Sequence, residues 1–426
     1  MSPRCGLAVD VGTTTLVLEL VDLETGELAA HTSAANPQAR MGADVMTRIA
    51  HAQAAPAHVH ELHSALLYGL HELIDEALHA AANAGAEHAR AEISDAVFVG
   101  NATMVHTLVG LDPTPLGTTP YRGALETGWQ GGARQIGLDL PQASVYVPPG
   151  IRSHVGADTV AGILATDLDT IAGPALFIDL GTNSEVVLMH AGGMLCTSTA
   201  AGPAFESGNP ENRLRGSQLI SAVAERLRSG TIAPSGKLSA ADDAVGQEEI
   251  RQLQLAKAGV AAGVRVLLAR AGLQPPQLEA VVLAGAFGNY LVPQDALSIG
   301  LLPDVPAERV RFVGNAALSG ARLLLTDAAA RRRAGEVAAR ARYIELGGHQ
   351  GYGDAFVEEI PFPTARGRLL GTLSLLASDM AQQSLRRCPY RGVADHCTFR
   401  GPCRNRVRVR PHPARCGGGP LNSSSV

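Results

Sequence analysis

The chain has 426 residues, 46% hydrophobic and 18% charged, enough apolar material for two or three domains with buried cores. A formal net charge of −5 excludes an overall electrostatic nucleic-acid binder. No apolar run reaches membrane-spanning length and no charged-then-apolar leader opens the chain, so a cytoplasmic protein without a membrane partner is expected. Cys5 and Cys196 stand apart and fit a reducing compartment, while the other four cysteines fall in the tail.

In chain order, residues 6–34 read as a β-hairpin turning through Asp22–Glu27 at Gly26. Asn36–Asp44 is a Pro- and Gly-containing loop. Val59, Leu62, Leu66, Leu70, Leu73 and Ala77 predict a helix over 58–80. That helix also carries His60 and His63, which share a face either as metal ligands or as ordinary solvated residues. Ala96–Val99 is a short buried strand, 121–150 shows little helical periodicity, and 156–172 is a small-residue connecting helix. Two further helices are expected at Ser217–Arg228 and 248–271, the second with Ile250, Leu253, Val260, Val264 and Leu267 on one stripe. Strands are expected at Val281–Leu283 and Val310–Val313.

One motif occurs twice. Val9-Asp10-Val11-Gly12-Thr13-Thr14-Thr15 returns 169 positions later as Ile178-Asp179-Leu180-Gly181-Thr182-Asn183-Ser184. Each copy reads as a tight turn between two strands. Glycine lets backbone come close to a ligand, and the amides and hydroxyls that follow can donate to phosphate oxygens. The aspartates can hold a hydrated Mg²⁺. Two facing copies make a polyphosphate clamp on a duplicated fold. Val99-Gly100-Asn101-Ala102 and Val313-Gly314-Asn315-Ala316 form a second pair, 214 positions apart, read as the same duplication with insertions. Neither a Rossmann fingerprint nor a P-loop is present, so turns and Mg²⁺ must hold the phosphates.

Asp10 and Asp179 are the metal-proximal carboxylates. Glu185 follows the second turn and is read either as ordering water or the metal, or as a solvated acid. Glu206 is read either as polarising an attacking water or as another solvated acid. Gly285, Ala286 and Gly288, in Leu283-Ala-Gly-Ala-Phe-Gly-Asn289, suit the close approach of a purine and ribose, or an ordinary strand-to-helix turn. Cys196 is read as a buried thiol, with a redox or cluster role as the alternative. From Arg386 onward nine arginines face one acid, Asp395. Cys388, Cys397, Cys403 and Cys416 match neither zinc-ribbon nor ferredoxin spacing, so no iron–sulfur motif is recognised. The tail is expected to be disordered, or a non-native extension.

The paired Asp-x-Gly-Thr turns and Leu-Ala-Gly-Ala-Phe-Gly-Asn-Tyr resemble the superfamily of acetate and sugar kinases, heat-shock ATPases and actin. More closely, Leu7–Ile49 (with Asn36-Pro37-Gln38 and Gly42-Ala43-Asp44), Val99–Tyr121, Ile178–Asn209, Val281–Gly320 and Tyr343–Pro363 are similar to the ATPase domain of the reductive activators of corrinoid proteins. The resemblance implies an α/β fold of two duplicated ribonuclease-H-like lobes with a nucleotide cleft between them. The expected divisions are a first lobe over 5–172, a second over 173–330, a closing segment over 331–366 and a tail over 367–426. The implied ligands are ATP and Mg²⁺. Asp10, Gly12, Thr13 and Thr14 would form the first phosphate turn, and Asp179, Gly181, Thr182 and Asn183 the second. Gly285, Ala286 and Gly288 would line the adenosine side.

The implied activity is ATP-driven reduction of a Co(II) corrinoid to Co(I), on a corrinoid protein or another redox metalloprotein. Such activators usually carry an N-terminal [2Fe–2S] domain, and this chain opens almost at the ATPase domain, so a separate ferredoxin-like donor is expected. The stretch after Asn209 reads as shortened, with Arg215-Gly216-Ser217-Gln218 where the family has a Cys-Gly-Ser-Gly-like turn, which leaves hydrolysis open. A homodimer is also left open. A small-molecule kinase of the same fold and a non-catalytic nucleotide-binding protein are the alternatives.

Overall fold

The computed structural model describes residues 4–86, 88–152, 154–191, 193–205, 214, 216–239, 245–285, 291–349 and 351–364. In chain order its first lobe contains β1 (Cys5–Val11), β2 (Thr15–Asp22), β3 (Leu28–Ala35), α1 (Val45–Ala54), α2 (Pro56–Asn83), β4 (Ile93–Gly100), α3 (Ala102–Leu108), β5 (Trp129–Gly132), β6 (Ser144–Val147) and α4 (Ala157–Ala165). The second contains β7 (Ala175–Leu180), β8 (Asn183–His190), β9 (Gly193–Ala200), α5 (Gly216–Ser229), α6 (Gln247–Ala271), β10 (Ala280–Gly285), α7 (Pro293–Ser298), β11 (Val310–Phe312) and α8 (Ala316–Thr326). There follow α9 (Ala328–Arg340), β12 (Ala341–Tyr343) and α10 (Tyr352–Glu359).

The two sheets have one design. The first runs β3-β2-β1-β4-β6-β5 and the second β11-β10-β7-β8-β9-β12. Without the edge strands β5 and β12, each is an antiparallel three-stranded meander whose first strand pairs in parallel with a fourth, itself parallel to a fifth. The fold is therefore α/β with duplicated lobes. The inner strands are apolar on both faces because both are covered: Leu7, Ala8, Val9 and Val11 are fully buried in β1, as are Leu176, Phe177 and Ile178 in β7.

Helix α2 starts with Pro56 at its first turn and lays Leu62, Leu66, Leu70, Leu73 and Ala77 on the first sheet, as the spacing predicts. Helix α6 buries its expected stripe in the second lobe's core and ends at Gly272 in the left-handed conformation. A third core joins the inner faces of the two sheets through α4, α8 and α9. Helices α4 and α8 cross so closely that a Cβ on Gly320 would lie 2.1 Å from the Ala161 carbonyl. Arg333 of α9 pairs with Asp169 at 2.8 Å, and Arg322 of α8 with Glu19 at 3.5 Å, tying these helices to the first lobe.

Some expectations change. The hairpin over 6–34 is a three-stranded meander: the Asp22–Glu27 turn joins β2 to β3, and the turn at Gly12 joins β1 to β2. The region 121–150 supplies β5 and β6. The two Val-Gly-Asn-Ala motifs are not duplicates. The first leaves β4 and the second follows β11, whereas the counterpart of β4 is β10, ending at Gly285. Their different spacing records that mismatch. His63 turns Nδ1 to the Thr107 carbonyl at 2.8 Å, while His60 lies beside Ser64. The closer cluster is His51, His58 and Glu61, in which the two imidazoles stack at 4.1 Å. Cys196 is buried in β9 as a free thiol, and burial pushes it up to about 12, far from a reactive thiolate. No described helix is long and apolar enough to cross a membrane. The residues around Asn209 and the tail lie outside the described set.

Candidate functional site

Between the lobes lies a cleft of about 1010 Å³, part of it continuous with solvent. Equivalent turns of the two meanders face into it. Asp10, Gly12, Thr13 and Thr14 line it from the first lobe, and Asp179, Gly181, Thr182, Asn183 and Glu185 from the second. Gly285, at the end of β10, is paired with Leu180 and lines the same space. Of the other expected residues, Glu206, Ala286 and Gly288 lie outside the described residues.

Register explains the convergence. Asp10 is one residue short of the end of β1, opposite Val17; Asp179 holds the same place on β7, opposite Glu185. Side chains alternate along a strand, so both aspartates point the same way at the strand ends. Gly12 is required by geometry, since a Cβ there would sit 2.4 Å from the Thr15 carbonyl.

The sequence reading missed several residues. Asp158, in the first turn of α4, is a fourth carboxylate in the cleft. Asn315 caps α8 by accepting from the Leu318 amide, and its own amide donates to Asp10 Oδ2 at 2.8 Å, a bond from one lobe to the other. Asn101 caps α3 in the same way and donates to Thr13 Oγ1 at 2.9 Å. Both asparagines stood in a repeated motif, but neither had a role there.

The first turn is braced from behind. Asn36 donates to the Gly12 carbonyl at 2.9 Å. Arg48 donates through Nη2 to the Thr13 carbonyl at 2.5 Å. Asp44 and Thr47 form a capping box that starts α1 and sets Arg48 on its first turn. This Asp-x-x-Thr pattern was the available signal for α1.

Four carboxylates line the cleft, and among the described lining residues there is no Lys, Arg or His. Burial is the main cause that pushes Asp10 up to about 7, Asp158 to about 6 and Asp179 to about 8, and holds Glu185 well above its usual range. Mutual repulsion adds to the rise at Asp10, Asp179 and Glu185, while Asn315 partly offsets it at Asp10. Ser198 donates to Glu185 at 3.2 Å. Hard oxygen donors without a protein cation suit a hydrated divalent ion such as Mg²⁺, and the two turns offer amides and hydroxyls to phosphate.

Two family models match this chain: the RACo middle region over residues 5–171, and the C-terminal domain of RACo, the ASKHA domain, over 173–215 and 210–374. The chain also superposes with a TM-score of 0.79 on a solved reductive activator for corrinoid, iron-sulfur protein, at 32% identity, covering 85% of this chain and 67% of that one. The chain belongs to the RACo family of reductive activators of corrinoid proteins. Among relatives, it is 30% identical over 388 residues to the corrinoid activation enzyme RamQ of Eubacterium limosum, covering 76% of this chain and 64% of that protein. It is 26% identical over 246 residues to the [Co(II) methylated amine-specific corrinoid protein] reductase of Methanosarcina barkeri, covering 44% and 45%. The chain thus spans less than two thirds of either relative. In RACo terms, the first turn, Arg48 and Asp158 fall in the middle region, and the second turn, Gly285 and Asn315 in the ASKHA domain.

Proposed function

We propose that this protein is an ATP-dependent reductive activator of a corrinoid protein. In this reading ATP binds in the interlobe cleft, its phosphates between the Gly12–Thr14 and Gly181–Asn183 turns and its adenosine side at Gly285. Asp10 and Asp179 hold hydrated Mg²⁺, which offsets the phosphate charge. Asp158 and Glu185 orient water toward the terminal phosphate. The carrying observation is the cleft of four carboxylates with no Lys, Arg or His among its described lining residues, set between two equivalent turns. The names of RamQ and of the corrinoid protein reductase support the activity.

The lobes are already joined at the cleft by the Asn315–Asp10 bond. A nucleotide gripped by both turns changes the relative energy of open and closed lobes, and hydrolysis to ADP and phosphate releases one of the contacts. That cycle favours docking on the Co(II) corrinoid partner, where one electron from an iron–sulfur donor yields Co(I). Asp158 also gives a kinase reading a base for a substrate hydroxyl, so a sugar and carboxylate panel belongs in the test.

The test is a cobalt spectrum. A Co(II) corrinoid protein with excess low-potential reductant should convert to Co(I) only when the protein, Mg²⁺ and ATP are all present, and its ATP turnover should rise with the corrinoid partner. Phosphoryl transfer to a panel member without corrinoid-stimulated turnover would replace the activator reading with the kinase one. Unchanged cobalt spectra for every corrinoid partner tried would count against it.

A further inference from the structure

Arg48 is fully buried, yet every hydrogen bond the structure describes for it ends on a neutral acceptor. Its Nε donates to the Gly42 carbonyl at 3.0 Å, and Nη1 to Gln38 Oε1 at 3.0 Å and Met104 Sδ at 3.2 Å. Nη2 donates to the Thr13 carbonyl. Gln38 is itself pinned to α2 through the Leu62 carbonyl at 2.9 Å. The guanidinium is thus a planar fork locked on three sides, with its remaining arm on the phosphate turn. A buried cation without a bonded counter-ion is costly, and Asp44, the carboxylate whose charge acts on Arg48, accepts its hydrogen bonds from Thr47. Its position one peptide unit behind the cleft makes an anion in front of the turn the natural compensation. At the second turn the Thr182 carbonyl accepts from the backbone amides of Ala201 at 3.1 Å and Gly202 at 2.9 Å.

We infer that Arg48 is a positioning residue for the nucleotide's phosphates. By holding the Thr13 carbonyl away from the cleft it keeps the neighbouring amides turned inward, and its charge favours a ligand in proportion to its phosphates. This rests on the nucleotide reading of the cleft and adds a residue that discriminates polyphosphate from monophosphate. A residue that only supports folding would not discriminate between nucleotides.

The experiment is calorimetry of ATP, ADP and AMP with Mg²⁺ on the full chain as wild type, Arg48→Met and Arg48→Lys, with thermal melting of each. Removing a charge-assisted hydrogen bond predicts an ATP affinity about 10- to 100-fold lower for Arg48→Met, with AMP affinity nearly unchanged. Arg48→Lys, which keeps the charge but not the fork, falls between. If Arg48→Met does not fold, the ATP-to-AMP ratio of Arg48→Lys decides by the same criterion. Unchanged ATP affinity in a folded variant, or equal losses for all three nucleotides, would overturn the inference alone. Absence of ATP binding by wild type would overturn the nucleotide reading and this inference with it.

Discussion

The two cleft-facing turns share a motif and a strand position but are built differently. In the first, side chains hold the outward carbonyls: Asn36 takes Gly12 and Arg48 takes Thr13. In the second, backbone amides of Ala201 and Gly202 hold Thr182. Gly12 tolerates no Cβ, whereas a Cβ on Gly181 would meet the Asn183 carbonyl at 3.1 Å, which a small shift relieves. A duplicated fold can thus keep its geometry while one copy brings a buried arginine and an asparagine onto its turn and the other uses backbone amides on Thr182 with the Ser184 hydroxyl on Gly181. The first turn is the more fragile to substitution.

The largest effect is expected at the aspartates. Asp10→Asn and Asp179→Asn should each lower Mg²⁺-dependent ATP turnover by about 10²- to 10³-fold. Because both would serve one ion, the double variant should fall little further; multiplicative losses would mean that the turns act independently. Next come the glycines. Gly12→Ala should weaken ATP binding by at least about tenfold and cost about 1–3 kcal/mol in denaturant unfolding, with Gly181→Ala milder on both measures. Equal effects would erase the comparison.

The acids predict a pH dependence. Asp10, Asp158 and Asp179 rise from a usual 3.8 to about 7, 6 and 8 on folding. Their folded-state proton affinity exceeds the unfolded one, so the stability they contribute is complete below about pH 4, declines from there, and is gone once pH has passed their folded values of 6–8. The nucleotide-free protein should melt lower at pH 8 than at pH 6, and Mg·ATP should restore more at pH 8. Asp158→Asn should flatten the decline between about pH 4 and 6, where its own titration falls; a decline unchanged by the variant would remove Asp158 from the cluster. The smallest effects belong to the caps. Asn101→Ala and Asn315→Ala should each cost about 1 kcal/mol of stability. Only Asn315→Ala, which cuts the bond to Asp10, should also change how strongly ATP protects the lobe interface from hydrogen exchange.

The fold was legible because its strongest signals were local. A seven-residue repeat named both turns, and apolar periodicity located α2 and α6. The residues that distinguish the turns were not. Arg48 lies 35 residues from the carbonyl it holds, and Asn315 lies 305 from Asp10, so their partners exist only after the sheets close. Asp158 belongs to no motif; it stands in the first turn of α4 and meets the other carboxylates only in the folded chain. The Val-Gly-Asn-Ala pair misled for a related reason. A short strand, a glycine and an asparagine cap are a general way to start a helix, and the chain uses it on strands that are not equivalent.

The most direct test is a calorimetric titration of Mg·ATP into wild type and into the Asp10→Ala/Asp179→Ala double variant, both checked for native melting. The account predicts one site per chain in wild type and none measurable in the variant. Equal binding by the two proteins, or none by wild type, would contradict the clamp.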